Sequence, residues 1–330
     1  MLKKIDWEGQ IGRRLKMRDL HVFFTVAQRG SMGKAAAELG VSPPTVSEVI
    51  SDLEHRLGVK LLDRGPQGVE PTMYGHALLR RGLAAFDELK QGIRDIEFLA
   101  DPTKGELRIG STETISATIL PQVIHRFSQQ YPGVIVHVDD VGVSATEVVG
   151  PGLRERKYDC VMQRIALPLP DQGSTEHLNV EVLFDDNLII AAGSHTRWAR
   201  RRSIDLSELI NEPWILPPAG KWYHAFVLRL FHASGVDAPK ASLVTHSVAL
   251  RTRLLTEGPY ITTFASSMLW FSPERNALKV LPVDFPTQAL PASILTLRNR
   301  TLSPIVERFI VCAREVAKSF ASRKLSGRTK

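Results

Sequence analysis

The sequence has little of what covalent, metal or membrane chemistry requires. It carries two cysteines in 330 residues, Cys160 and Cys312, far apart and in no zinc or redox spacing. That excludes a disulfide framework and fits a reduced compartment. Ten histidines include no H-E-x-x-H pair. There is no G-x-S-x-G elbow and no G-x-x-x-x-G-K-[ST] phosphate loop, and Gly105 to Gly110 lacks the dinucleotide fingerprint. No apolar run reaches the roughly 20 residues that span a bilayer. The basic N-terminus (Lys3, Lys4, Arg13, Arg14, Lys16) is followed by no apolar segment, as a secretory signal would need. The expectation from these absences is a cytoplasmic chain without membrane partner, metal, cofactor or catalytic set.

Charge of one sign is also scarce where it would be most informative. The net charge is +7, but residues 1–72 hold 11 basic against 9 acidic side chains and residues 73–104 hold 5 of each. The surplus lies in the C-terminal two thirds. A nucleic-acid partner must therefore be argued from a motif, not from bulk charge.

That motif is the stretch Ser31 to Ile50. Ala35, Ala36, Ala37 and Leu39 suit a tightly packed helix, and Gly40 supplies a helix stop. Ser42 can cap a second helix with Pro43 and Pro44 in its first turn, where a missing N–H costs nothing. Val46, Val49, Ile50 and Leu53 share one face, while Thr45, Ser47, Glu48 and Ser51 share the other. The pattern predicts a helix-turn-helix whose second helix presents a hydroxyl-rich face to the DNA major groove.

The flanks make the motif specific. An F-x-x-V-A-x-x-G-S-x-x-x-A-A opening, the V-S-x-P-x-V-S helix and an L-E-x-x-L-G-V-x-L-x-x-R exit occur in order between Met17 and Gly75. This run resembles the winged helix-turn-helix of the LysR-type transcriptional regulators. The resemblance implies a wing after the second helix, with strands at Val59–Leu62 and Val69–Pro71 around the Gly65-Pro66-Gln67-Gly68 turn. It also implies a phosphate contact by Arg64. The expected DNA-binding set is Ser31, Ser42, Pro43, Pro44, Thr45, Ser47, Glu48, Ser51 and Arg64. Glu48 and Glu70 are acidic where many relatives are basic or neutral; a carboxylate accepts from cytosine but repels phosphate.

Thr72 can cap a long helix running to about Ala100, which Pro102 and Gly105 close. Leu79, Phe86, Ile93 and Ala100 recur every seven residues, as do Gly82, Leu89 and Ile96, the pattern of a two-helix seam. The resemblance implies dimerisation here, through Leu79, Phe86, Leu89, Ile93 and Ile96, and further assembly to a homotetramer that engages RNA polymerase at the promoter.

From Gly105 onward, short β runs alternate with amphipathic helices, which predicts a mostly parallel sheet covered on both faces. Strands are expected at Glu106–Gly110, Val134–Val138 and Tyr158–Met162, and a second similar unit from Val182. A last strand is expected at Ile294–Leu297 and a closing helix at Ser303–Phe320. The G-x-L-R-I-G start and the F-x-x-x-Y-P-x-V run resemble the same family's effector module, of type 2 periplasmic binding protein fold.

The fold class expected is thus α/β overall: an N-terminal extension (1–16), a winged helix-turn-helix (17–75), a linker helix (76–103) and an effector-binding domain (104–330). The last divides into subdomain I (about 104–180 and 285–320), subdomain II (about 181–284) and a basic tail (321–330). A small, possibly anionic effector is expected between the subdomains, at strand C-termini and helix N-termini. Its expected contacts are Ser111, Thr112, Thr114, Ser144, Thr146, Gln163, Arg164, His246 and Ser247. The competing reading is a solute-binding module or an enzyme whose N-terminal helices serve assembly.

Overall fold

The computed structural model describes residues 15–65, 68–142, 149–165, 176–220, 222–271, 274–284 and 290–326. The chain divides into two units, 1–94 and 95–330. The expected α/β class holds. Most of the N-terminal extension, residues 1–14, lies outside the described residues.

In the first unit three helices precede a two-stranded wing: α1 (Met17–Arg29), α2 (Met32–Leu39) and α3 (Pro43–Leu57), then β1 (Leu62–Gly65) and β2 (Gly68–Pro71). Gly30, Gly40 and Gly58 each end a helix at positive φ, where a side chain would be strained. Phe23, Val26, Ala35, Val46, Ile50 and Leu53 close one core from all three helices. The wing begins later than its sequence pattern suggests. Val59 to Leu61 belong to the approach, because Glu54 takes the backbone N–H groups of Leu61 and Leu62; the paired strand therefore runs from Leu62, opposite Pro71.

The long helix α4 (Met73–Ala100) follows. Thr72 caps it by accepting the Gly75 N–H at 3.1 Å, and its own hydroxyl donates to the Lys60 carbonyl at 2.7 Å. The predicted seam is only partly free. Leu79 and Phe86 pack on the core of their own unit, with the Phe86 ring edge-on to Phe24 at 5.3 Å. Gly82 is buried where a Cβ would collide with the Phe24 ring. Leu89, Ile93 and Ile96 are exposed at 54%, 59% and 67%, together with Leu83 and Leu99. A heptad count does not register that one flank of the helix serves its own domain.

The second unit contains two five-stranded sheets. The first has strand order β4-β3-β5-β12-β6, from β3 (Gly105–Ser111), β4 (Val134–Asp140), β5 (Cys160–Arg164), β6 (Leu178–Phe184) and β12 (Ala292–Leu297). It carries α5 (Glu113–Ser116), α6 (Leu120–Gln130), α7 (Val149–Arg154) and the returning α11 (Pro304–Ser326). The second has order β11-β7-β10-β8-β9. Its strands are β7 (Leu188–Gly193), β8 (Trp214–Leu216), β9 (Ala241–Val244), β10 (Ile261–Ala265) and β11 (Leu278–Val280). Its helices are α8 (Trp222–Ala233), α9 (Val248–Glu257) and α10 (Ser267–Phe271). Each sheet has a buried cluster on both faces, so the layering is as the alternation suggests.

Three expectations need correction. The sheets are mixed, because β12 and β7 each run antiparallel to both neighbours while β3–β4, β3–β5, β10–β8 and β8–β9 are parallel. The second subdomain does not begin near Val182: β6 pairs with β12 in the first sheet, and the chain crosses between Phe184 and Leu188. An apolar run reads alike on either side of a crossover. The third strand extends to Arg164, so Gln163 and Arg164 are its last two residues.

Candidate nucleic-acid interface and ligand cleft

The two units carry two different sites. In the first unit, Ser31 and Ser42 are N-caps, accepting from the backbone N–H groups of Lys34 and Thr45, each at 3.4 Å. Ser42 and Thr45 share a hydroxyl–hydroxyl bond at 2.8 Å. Ser42, Pro43, Pro44, Glu48 and Ser51 are exposed, and Thr45 and Ser47 are half-buried. None of them belongs to the core, which takes Val46, Ile50 and Leu53 from the opposite face. Arg64, on β1, donates to Ser47 Oγ at 3.3 Å. The wing cation and the helix hydroxyl therefore lie on one surface, something the seventeen-residue separation alone does not reveal.

That surface is held by a buried carboxylate which a search for DNA contacts passes over. Glu54 accepts Leu61 N–H at 2.8 Å, Leu62 N–H at 3.2 Å and Lys60 Nζ at 2.8 Å. Burial pushes its pKa up, but Lys60 and the two N–H donors outweigh burial and leave it below the ordinary value. The wing is thus tied to α3 by a charge-assisted contact.

In the second unit a cavity of about 280 Å³ lies between the two sheets. The carboxyl ends of parallel strands open onto it, as the physics of doubly wound sheets requires. Thr112, Glu113 and Thr114 follow β3, Asp140 ends β4 with Gly142 just beyond it, and Gln163 and Arg164 end β5. From the other subdomain come Tyr223 on α8, His246 after β9, Arg251 on α9, and Phe264 and Ala265 on β10. Leu290, on the returning crossover, closes one wall.

Five of the expected effector contacts, Thr112, Thr114, Gln163, Arg164 and His246, lie in this lining. Ser111 is not among the lining residues; it is fully buried, accepting from Ser116 Oγ at 3.0 Å and donating to the Thr112 carbonyl. Ser247 caps α9 by accepting the Leu250 N–H at 3.3 Å. Ser144 and Thr146 lie outside the described residues. Glu113, Tyr223, Arg251 and Phe264 were missed. Arg251 alone left a trace, a basic residue one turn into an apolar helix.

Two buried guanidiniums shape the electrostatics. Arg164 donates to Asp186 through Nε at 3.1 Å and Nη2 at 3.0 Å, and to Ser267 Oγ at 2.5 Å. Asp186 also accepts from Ser266 Oγ at 2.6 Å and from the Ser267 N–H at 3.1 Å. Burial would raise the Asp186 carboxyl, but Arg164 and these donors hold it below its ordinary value. Arg251 is answered differently. Its three nitrogens donate to the carbonyls of Ser247, Thr263 and His246 at 3.4, 3.1 and 3.3 Å. Burial lowers its pKa, opposed by Tyr223 and Glu113.

Among the described residues no cluster of potential metal ligands occurs, and no helix is long and apolar enough to cross a membrane. Both cysteines are buried, which pushes their thiols up and disfavours the reactive thiolate.

Two family models match the chain. Residues 17–76 match the bacterial regulatory helix-turn-helix protein, lysR family, and residues 100–318 match the LysR substrate binding domain. Among curated relatives, the HTH-type transcriptional regulator GbpR of Azospirillum brasilense is 25% identical over 292 residues, covering 88% of this chain and 83% of that protein. The uncharacterized HTH-type transcriptional regulator YdcI of Escherichia coli is 27% identical over 292 residues, covering 88% and 92%. Among solved structures, full-length CbnR complexed with its target DNA aligns with a TM-score of 0.51 at 22% identity, covering 92% of this chain and all of that one. At that identity the likeness speaks for the fold.

Proposed function

The chain belongs to the LysR family of DNA-binding transcriptional regulators, and from that premise we propose how its parts divide the work. Thr45, Ser47 and their neighbours on α3 read base edges in the major groove, and Arg64 holds the wing to the phosphate backbone. The exposed stripe Leu89, Ile93 and Ile96 buries against a second copy, which sets two recognition helices for a dyad-symmetric operator. Dimers pair into a tetramer. A small molecule in the cleft between the sheets favours one arrangement of the two subdomains and so alters DNA bending and access of RNA polymerase. It shifts the balance only by binding that arrangement more tightly. The protein works in the cytoplasm, without catalysis and without a resident cofactor.

One observation carries this reading: a hydroxyl face kept out of the core on α3 and a polar-lipped cavity between two sheets belong to a single polypeptide. Footprinting of the full chain on the DNA flanking its own gene tests it. The expected result is a protected site with dyad symmetry at moderate salt; uniform, sequence-independent binding that disappears with salt would overturn it.

A further inference from the structure

Two of the protein's own carboxylates, Asp140 and Glu113, line the cavity, and Glu113 bonds across it. Glu113 opens α5, in the first subdomain, yet its Oε1 accepts the Val248 N–H at 2.7 Å and the Ser247 hydroxyl at 3.4 Å in the second. Val248 is the first residue of α9, a ten-residue helix. The side chain therefore spans the cleft and rests on the positive end of a helix dipole, where exposed N–H groups select anions. Arg251, one turn further along the same helix and 3% exposed, has backbone carbonyls rather than a carboxylate against its three nitrogens. The Glu113 carboxylate lies close enough to oppose the lowering of the Arg251 pKa by burial.

The same cavity contains donors with nothing to donate to. Gln163 Nε2 and Arg164 Nη1, on side chains of residues only 2% and 6% exposed, are buried and have no hydrogen-bond partner among the described residues. Unmet buried donors are costly, so each one in a native structure calls for an explanation, and an acceptor on a bound ligand supplies one here. Phe264 and Leu290, both buried, give the cavity apolar walls beside these donors. Its volume, about 280 Å³, lies just below the range of about 300–1,000 Å³ usual for ligand pockets, which suits a small ligand.

Resting on the effector reading above, we infer that the cleft takes a small organic carboxylate with an apolar body, and that Glu113 is the internal carboxylate it displaces from the N-terminus of α9. Glu113 ties the two subdomains through Val248. An incoming carboxylate takes over that N–H and the Ser247 hydroxyl, while its remaining polar atoms meet Gln163 and Arg164. The tether is exchanged for a ligand bridge, so ligand binding and subdomain arrangement become one equilibrium. A neutral isostere lacks the charge that α9 and Arg251 select.

The test is chemical rescue in the full-length protein. Thermal unfolding of the wild type, Glu113→Ala and Glu113→Gln is followed while acetate, or its neutral counterpart acetamide, is titrated at constant ionic strength. Glu113→Ala is expected to melt lower than the wild type, and acetate to raise its Tm further than that of the wild type by mass action. Acetamide should raise neither. Glu113→Gln, which keeps an acceptor but loses the charge, should respond to acetate in between and covers the case in which the alanine variant folds poorly. Equal effects of acetate on wild type and variants, or equal effects of acetate and acetamide, would overturn the inference. Operator affinity measured in parallel separates the two readings: rescue by acetate with unchanged DNA binding would keep the carboxylate subsite and remove the effector function.

Discussion

The Glu54 carboxylate, in the last turn of α3, accepts the Leu61 backbone N–H at 2.8 Å. With Leu62 on the same oxygen and Lys60 on the other, one side chain fixes where the wing leaves the recognition helix. Glu54→Ala strands two buried N–H groups and should cost about 1–3 kcal/mol, measurable by denaturant titration. The folded-state pKa lies below the ordinary value near 4.5, so the contact stabilises above that value and fades as pH falls through the lower, folded-state one. The wild type should lose this increment on acidification. Glu54→Gln should show no such loss; an identical pH dependence in the two proteins would refute the assignment.

Arg164 and Asp186 form the buried ion pair beside the cleft, at 3.0 Å. Removing one partner leaves a buried uncompensated charge, so Asp186→Ala should destabilise by about 3–5 kcal/mol. Replacing both with apolar residues, as Arg164→Met with Asp186→Leu, should cost much less. A double variant as unstable as the single one would show that the hydrogen bonds to Ser266 and Ser267, rather than the charge balance, carry the contact.

At the nucleic-acid surface, Thr45→Ala and Ser47→Ala should lower operator affinity while leaving the melting temperature near that of the wild type, since neither side chain fills the core. Arg64→Ala should weaken binding to all sequences and reduce the salt slope by about 1. Fluorescence anisotropy on operator and scrambled duplexes at several salt concentrations distinguishes these patterns. A sequence-specific loss for Arg64→Ala would mean that the wing reads bases.

On α4, Ile93→Glu places a charge in the middle of the exposed apolar stripe. It should shift the protein toward monomer in sedimentation velocity, whereas Phe86→Ala should lower stability, because Phe86 packs on Phe24 in its own unit. If Ile93→Glu left the assembly state unchanged, the stripe would have another role.

Cys160 and Cys312 are both buried, with thiols pushed toward the protonated form. The native protein should react with a thiol reagent such as DTNB only at the rate at which it opens, and peroxide should not alter its DNA binding. Fast modification of either thiol would contradict this.

The features built from local rules can be read directly along the chain. Gly30, Gly40 and Gly58 end helices because only glycine takes positive φ cheaply, and Ser31, Ser42 and Thr72 start them because each hydroxyl satisfies an orphan N–H. Val46, Ile50 and Leu53 are buried by their spacing, and Thr45 and Ser47 are spared by theirs. Thr112 and Gln163 could be placed in the cleft because ligands gather where parallel strands end. Features that depend on a distant neighbour are set by packing instead. Leu79 and Phe86 obey the same heptad as Ile93, yet Phe24 covers one end of the helix and leaves the other bare. The apolar run at Val182 pairs with β12 from the far end of the chain. Glu113 looks like an ordinary first-turn carboxylate until the fold brings Val248, 135 residues later, to meet it. Spacing encodes which face of an element is apolar, but it does not encode which partner arrives to cover that face, since contact across a hundred residues is set by how whole sheets pack.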